Sequence, residues 1–222
     1  GASSPTAPPK RARTPLTFVG ATMPTHAVKS AGSVLDAVFP DAFWVRGARA
    51  HMGDPAVDHV WLNVESAEEK IERVVDAVRS RAPDADAGAD AGAATLVFCN
   101  SVASAVETLD ALRARGVHAV AHHRDVDHDE RMEQLRSIRA GGVDAPDVLV
   151  CTDAAARGID LPSVGHVVQA DFATCAVDFV HRIGRTGRGG RGGRVTNLWS
   201  RNERDLVDFV RRALTENAPI EE

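Results

Sequence analysis

The sequence predicts an α/β fold, a parallel sheet with helices on both faces. Three observations support it. From about residue 59 onward, segments that read as strands alternate with segments that read as helices, the pattern of repeated βα units. Runs such as Thr95-Leu96-Val97-Phe98-Cys99 and Val148-Leu149-Val150-Cys151 are apolar throughout rather than at every second position, as strands covered on both faces require. Glycines close the helical stretches, Gly116 after one and Gly141-Gly142 after another, where a left-handed residue commonly ends a helix.

The elements follow in order. Residues 1–15 are rich in Pro, Ala and Ser and are expected to stay flexible, because they bury too little to offset ordering. Residues 16–19 read as a short strand, and Pro24 suits the first turn of a helix extending to about Val38. Residues 43–45 and 59–64 read as strands. Ser66-Ala67-Glu68-Glu69 is a capping-box pattern, and Ile71, Val74, Val75 and Val78 mark one apolar helix face behind it. Residues 83–94, where Asp and Ala alternate around glycines, have neither period nor bulk and are expected to form an exposed acidic loop. The alternation then becomes regular. Strands are expected at 95–99, 117–121, 148–151, 167–169 and 194–199, and helices at 102–115, 128–139, 175–183 and 203–214. Right-handed crossovers place the loops after these strands on one edge of the sheet, where ligands bind in open α/β sheets.

Composition narrows the function classes. The 222 residues are 44% hydrophobic and 26% charged, ordinary for a globular domain of sizeable core. A net charge of −5 excludes a binder driven by overall positive charge, so any nucleic-acid contact must be local and arginine-led. Cys99, Cys151 and Cys175 are three, widely spaced and set in apolar runs, which suggests neither a disulfide framework nor a zinc ribbon and fits a reducing compartment. No apolar run is long enough to span a membrane.

The most specific signal is His181-Arg182-Ile183-Gly184-Arg185-Thr186-Gly187-Arg188, three arginines at three-residue spacing among glycines. The series continues at Arg191 and Arg194 with no carboxylate between 182 and 194. Such a segment is suited to an anion supplied from outside, and guanidinium groups match phosphate.

This stretch resembles motif VI of the DEAD-box ATP-dependent RNA helicases, and Cys151-Thr152-Asp153-Ala154-Ala155-Ala156-Arg157-Gly158-Ile159-Asp160 resembles their motif V. Leu96-Val97-Phe98-Cys99-Asn100-Ser101 is similar to motif IV, Asp129-Glu130-Arg131 to the end of motif IVa, and Gly20-Ala21-Thr22 to motif III. Gln169-Ala170-Asp171-Phe172 and Ala176-Val177-Asp178-Phe179 look closest to the chloroplast branch of plant and algal members. The resemblance implies the C-terminal RecA-like domain, residues 53–222, preceded by a remnant of a first RecA-like domain with motif III and the interdomain linker, residues 16–52. Neither G-x-x-x-x-G-K-[ST] nor Asp-Glu-Ala-Asp occurs, so the phosphate-binding half of such an enzyme is expected on that first domain, in cis or in trans. The chain is read as a fragment or processed product, inactive alone.

By the same resemblance, Arg185 and Arg188 are the catalytic arginine fingers, and Gly158 and Asp160 join them at ATP. Asn100, Ser101, Arg131 and Thr152 hold RNA. Thr22 and His181 couple the two domains. The cofactor is ATP with Mg2+, the metal held mainly by the first domain. The partner is RNA, ribosomal by branch resemblance, and the enzyme is expected to be a monomer in the chloroplast, separating short duplexes. Arg182 is expected to brace the loop.

Three departures from the family pattern stand out. Gly20 occupies the serine position of motif III, His123-Arg124-Asp125 replaces His-Gly-Asp, and His128 takes the glutamine position of motif IVa. The first weakens the expected coupling, and Arg124 adds a candidate phosphate contact. His118, His122, His123 and His128 among Asp125, Asp127 and Asp129 form a metal-like pattern, but a strand followed by a helix cap explains them and no metal site is assigned. A rival is a non-catalytic RNA-binding or regulatory half-domain acting through a partner. Another is a DNA-translocating helicase, against which residues 181–185 argue by resemblance.

Overall fold

The computed structural model describes residues 16–20, 30–45, 47, 51–80, 94–142, 144–156, 164–187 and 192–220. The expected flexible segment 1–15 and nearly all of the expected acidic loop lie outside them. Helix α1 spans Ala31–Val38, with Ser30 Oγ accepting from the Ser33 amide at its start. Strand β1 (Val57–Asn63) leads to α2 (Ala67–Arg79), β2 (Thr95–Cys99), α3 (Val102–Ala114) and β3 (Ala119–His122). Helix α4 (His128–Ala140), β4 (Val148–Thr152), the one-turn α5 (Asp153–Ala156), β5 (His166–Gln169), α6 (Ala176–Ile183), β6 (Gly193–Trp199) and α7 (Arg204–Glu216) follow. A 3-10 turn over Arg201–Glu203 precedes α7.

The six strands form one sheet in the order β1-β6-β5-β2-β4-β3, every neighbouring pair parallel. All residues of β2, β4 and β5 are buried, which is why β2 and β4 run apolar through odd and even positions, while the buried polar ends of β5, His166 and Gln169, bond to Thr196 and Asn197 of β6. Successive side chains enter two cores. Leu96, Phe98, Leu149 and Cys151 meet Leu135 of α4, Phe179 and Ile183 of α6, and Val207 and Val210 of α7. Val97, Cys99, Val148 and Val150 meet Val74, Val75 and Val78 of α2 and Ala105, Leu109 and Leu112 of α3. The division follows from handedness. The chain crosses the sheet one way through α2 and α3 and returns through α4 and α6, so right-handed crossovers place the two sets on opposite faces.

Local sequence fixes the helix ends. Ser66 Oγ accepts from the Glu69 amide, as the capping pattern predicts, while Glu69 Oε2 accepts from Glu65 N–H, one residue earlier than a capping box requires. Strand β3 starts two residues later than expected, because Gly116, at φ 77°, and Val117 give their amides to Arg113 and Leu112 carbonyls to end α3. Two expected strands are not formed. Residues 16–19 and 43–45 are irregular and largely exposed, with Val19 at 90% and Phe43 at 92%. Their residues favour extended backbone, but none pairs with the six-stranded sheet, and a strand needs a partner for its N–H and C=O groups.

Strand β1 places His59 in an aromatic cluster, 6.0 Å from the Trp61 ring and 6.2 Å from the Phe179 ring. Both ring nitrogens are buried without a partner. Burial lowers the His59 pKa from 6.5 to about 4, against a small opposing effect of Asp58. The folded state therefore binds fewer protons than the unfolded chain between those values, and stability falls as pH drops through that window. Acidification from pH 6.5 to 4 should remove on the order of 3 kcal/mol through this residue. Urea unfolding of the chain and of His59→Phe across the window checks it: the substituted protein should lose less stability, and equal losses would count against the assignment.

Candidate functional site

Strand β2 is the turning point of the sheet. The chain leaves it toward β3, whereas it leaves both neighbours, β4 and β5, in the opposite direction. The three loops therefore diverge, opening a crevice at their carboxyl ends. Asn100 and Ser101 follow β2, Asp153 follows β4, and Asp171 lies just beyond β5.

Arg182 of α6 enters this crevice and is 1% exposed. Its Nε donates to Asp153 Oδ1 at 2.8 Å, and Nη2 to Asp153 Oδ2 and to Asn100 Oδ1 at 2.6 Å. Nη1 donates to Gln169 Oε1 at 3.0 Å and to the Asp171 carbonyl at 2.7 Å. All five guanidinium N–H groups thus have acceptors, and the plane lies 5.2 Å from the Phe98 ring centroid. One side chain ties together the ends of β2, β4 and β5. The network runs on inside the sheet, where Gln169 Nε2 donates to Asn197 Oδ1 and Asn197 Nδ2 to the Val60 carbonyl.

A second charge pair flanks it. Lys70 Nζ donates to Asp171 Oδ1 at 2.9 Å, and the Asn100 amide donates to Asp171 Oδ2 at 2.9 Å. Burial pushes the Asp171 pKa up, but the Ser104 hydroxyl, the Asn100 amide and Lys70 together hold it below the usual carboxylate range. Asp171 is a charged strut fixing the turn after β2 against the turn after β5.

The expected site residues fall into groups. His181 and Arg185 line a small cavity with Phe98, Asp153, Ala156, Asp178 and Arg182. Arg185 is half-buried at the turn ending α6, its amide donating to the Arg182 carbonyl and its carbonyl accepting from Val164 N–H. Thr186 is buried, Gly187 takes φ 69°, and a Cβ at Gly193 would collide with Thr186 Oγ1. The start of β6 therefore has to be glycine for this turn to pack. Asn100 serves the protein itself: Nδ2 donates to the Phe172 carbonyl at 2.8 Å and Oδ1 accepts from Arg182. Ser101 caps α3 by accepting from Ser104 N–H and is exposed, leaving its hydroxyl hydrogen to donate outward. Thr152 is buried at the end of β4. Arg131 of α4 donates Nη1 to the His123 carbonyl at 3.0 Å, while its Nε has no partner. Thr22, Gly158, Asp160 and Arg188 lie outside the described residues.

Sequence reading passed over Asp153, Gln169, Asn197 and Lys70 as functional positions. Asp153 stood inside a recognised motif and Gln169 at a strand end, a usable signal; nothing in the local sequence marks Lys70 as the partner of Asp171, 101 positions away.

The cavity beside Arg185 has room for about 30 Å³, far short of a nucleotide, so an anion would meet Arg185 from outside the domain. Among the described residues no group of three or more His, Cys, Asp or Glu is arranged to hold a metal ion, and no helix is long and apolar enough to cross a membrane.

Comparison with known proteins agrees with this geometry. Residues 69–190, more than half of the chain, match the family described as the helicase conserved C-terminal domain. The chain is 44% identical over 208 residues to DEAD-box ATP-dependent RNA helicase 22 of Oryza sativa, covering 92% of this chain and 35% of that protein. It is 38% identical over 204 residues to the Arabidopsis thaliana protein of the same name, covering 92% and 33%. The chain thus spans about a third of the length of these curated relatives. Among solved structures, the E. coli DEAD-box protein SrmB, bound to the regulator of ribonuclease activity A, superimposes with a TM-score of 0.58 at 27% identity, covering 74% of this chain and 89% of that one. The S. cerevisiae Dbp5 bound to RNA and ADP BeF3 shares the fold, with a TM-score of 0.67 at 22% identity, covering 83% and 46%. With its parallel sheet, its two-faced helical cover and the matched domain, this chain belongs to the helicase conserved C-terminal domain family, as the C-terminal RecA-like domain of a DEAD-box RNA helicase.

Proposed function

We propose that this chain is one half of a composite site at which ATP hydrolysis drives the separation or remodelling of short RNA duplexes. The observation that supports it most is the full bracing of Arg182. Its five donors are satisfied internally, so the turn carrying Arg185 is held rigidly beside the strand-end crevice. In the complete enzyme, Arg185 and Arg188 approach the γ-phosphate when the two domains close, stabilising charge that spreads over its oxygens. Asp160 would accept from the ribose, with Gly158 allowing close backbone approach. Mg2+, held mainly by the first domain, would screen the phosphates. His181 and Thr22 would meet across the closed interface, more weakly for the serine that Gly20 lacks. Ser101, Thr152, Arg131 and Arg124 would contact phosphates and 2′-hydroxyls, which lets one groove serve many sequences.

Joining the chain to a first RecA-like domain should give ATP hydrolysis stimulated by single-stranded RNA and not by DNA, while the chain alone should show none. RNA binding that nucleotide never changes, with or without that first domain, would favour the non-catalytic half-domain instead. Ribosomal RNA as target and a chloroplast location rest on the resemblance of residues 169–172 and 176–179, and a monomeric state is part of the same proposal. Imaging a fluorescent fusion of the complete protein checks the location.

A further inference from the structure

The C-terminal segment after α7 does more than end the domain. Asn217 caps α7 in the left-handed conformation, with φ 50°, and Ala218 N–H donates to the Ala213 carbonyl. The chain then turns so that Ile220 is 1% exposed within the core shared by α6 and α7, and its amide donates to the His51 carbonyl at 2.9 Å. His51 belongs to the segment read as the end of the interdomain linker and takes φ 61°, a conformation uncommon for a residue with a side chain. Two residues on, a Cβ at Gly53 would collide with Leu214 Cδ2 of α7 and sit 3.9 Å from Ile183 Cδ1 of α6. Asp54 then forms the turn into β1, accepting from Ala56 and Val57 amides. Linker, tail and the end of α6 are one packed unit.

We propose that residues 217–220 act as a clasp that positions the linker: they hold residues 51–53 against Leu214 and Ile183, so that the entry of the chain into this domain is fixed relative to the turn bearing Arg185. Ile183 is the last residue of α6, two positions before Arg185, so the helix end that faces residue 53 also leads into the turn. Glycine at 53 is what lets the backbone come this close to α7. The consequence for domain closure rests on the two-domain reading proposed above. The clasp itself does not, and its test needs neither RNA nor nucleotide.

Hydrogen exchange of the whole chain, compared with Ile220→Ala and Gly53→Ala, tests it. The reporters are the amides of Ala56, Val57 and residue 220 on the linker side and of Arg185 and Thr186 on the turn. Strands β2 and β4 are the internal reference. Both reporter groups should exchange at least tenfold faster in each variant while the reference changes little, the pattern of local opening. If Ile220→Ala loosens the whole core, Gly53→Ala decides, since it leaves residue 220 intact and displaces only the flexible end of Leu214. Uniform acceleration that includes β2 and β4 in Gly53→Ala, unchanged linker amides, or linker amides that open while Arg185 and Thr186 stay protected would each overturn the proposal.

Discussion

Replacing Arg182 with alanine should destabilise the domain by about 3 to 5 kcal/mol, the cost of breaking a buried pair from one side. The substitution strands the Asp153 carboxylate, which is only 21% exposed, leaves Asn100 Oδ1 and the Asp171 carbonyl without the Arg182 donor, and leaves Gln169 Oε1 with the Ala173 amide. Lysine should not rescue it, because a single ammonium cannot reach acceptors on three loops at once. Adding Asp153→Leu to Arg182→Met should recover part of the loss, since removing both charges removes the uncompensated one. Urea denaturation of the four proteins measures this. Arg136→Ala, which breaks only the exposed pair with Glu133, serves as reference and should shift stability by less than about 0.5 kcal/mol. If Arg182→Ala behaved like that reference, the strand ends would be held by something other than this guanidinium.

The second large effect concerns turnover rather than folding. In the two-domain enzyme, Arg185→Ala should lower kcat for RNA-stimulated ATP hydrolysis by roughly 10³ to 10⁵, the range for an arginine finger, with a much smaller change in KM. An interaction made mainly in the transition state has that signature. Arg185 makes its backbone contacts through Arg182 and Val164, which the substitution keeps, and urea unfolding of the variant separates any loss of stability from the loss of turnover. A loss of RNA affinity with kcat unchanged would assign Arg185 to the RNA groove instead. Arg182→Ala and Arg185→Ala thus separate the brace from the proposed arginine finger, three residues apart in the same motif.

Much of the fold was legible because the cues were local. Strand β2 falls at residues 95–99 as its apolar run indicates, and α2 and α4 begin at the Ser66 and Asp127 caps. The errors came where local preference lacked a partner. Residues 16–19 and 43–45 have the composition of strands and find no sheet to join, while the four-residue α5 is too short to show a period. In the site, motif spacing brought out Arg182 and Arg185 but not their surroundings. Asn100, expected from resemblance to touch RNA, has its side chain between the Phe172 carbonyl and Arg182.

By itself, the sequence determined the class of fold, the order of its units and the segment rich in guanidinium groups, because hydrophobic period, helix caps and charge type are written in neighbouring residues. Only the tertiary structure decided what each charge faces. Arg182 is neutralised by Asp153, 29 positions away, and Lys70 meets Asp171 across 101 positions. Those pairings arise from the order in which parallel strands assemble. Strand order depends on how buried faces pack across the whole sheet, and no local stretch of the chain encodes it.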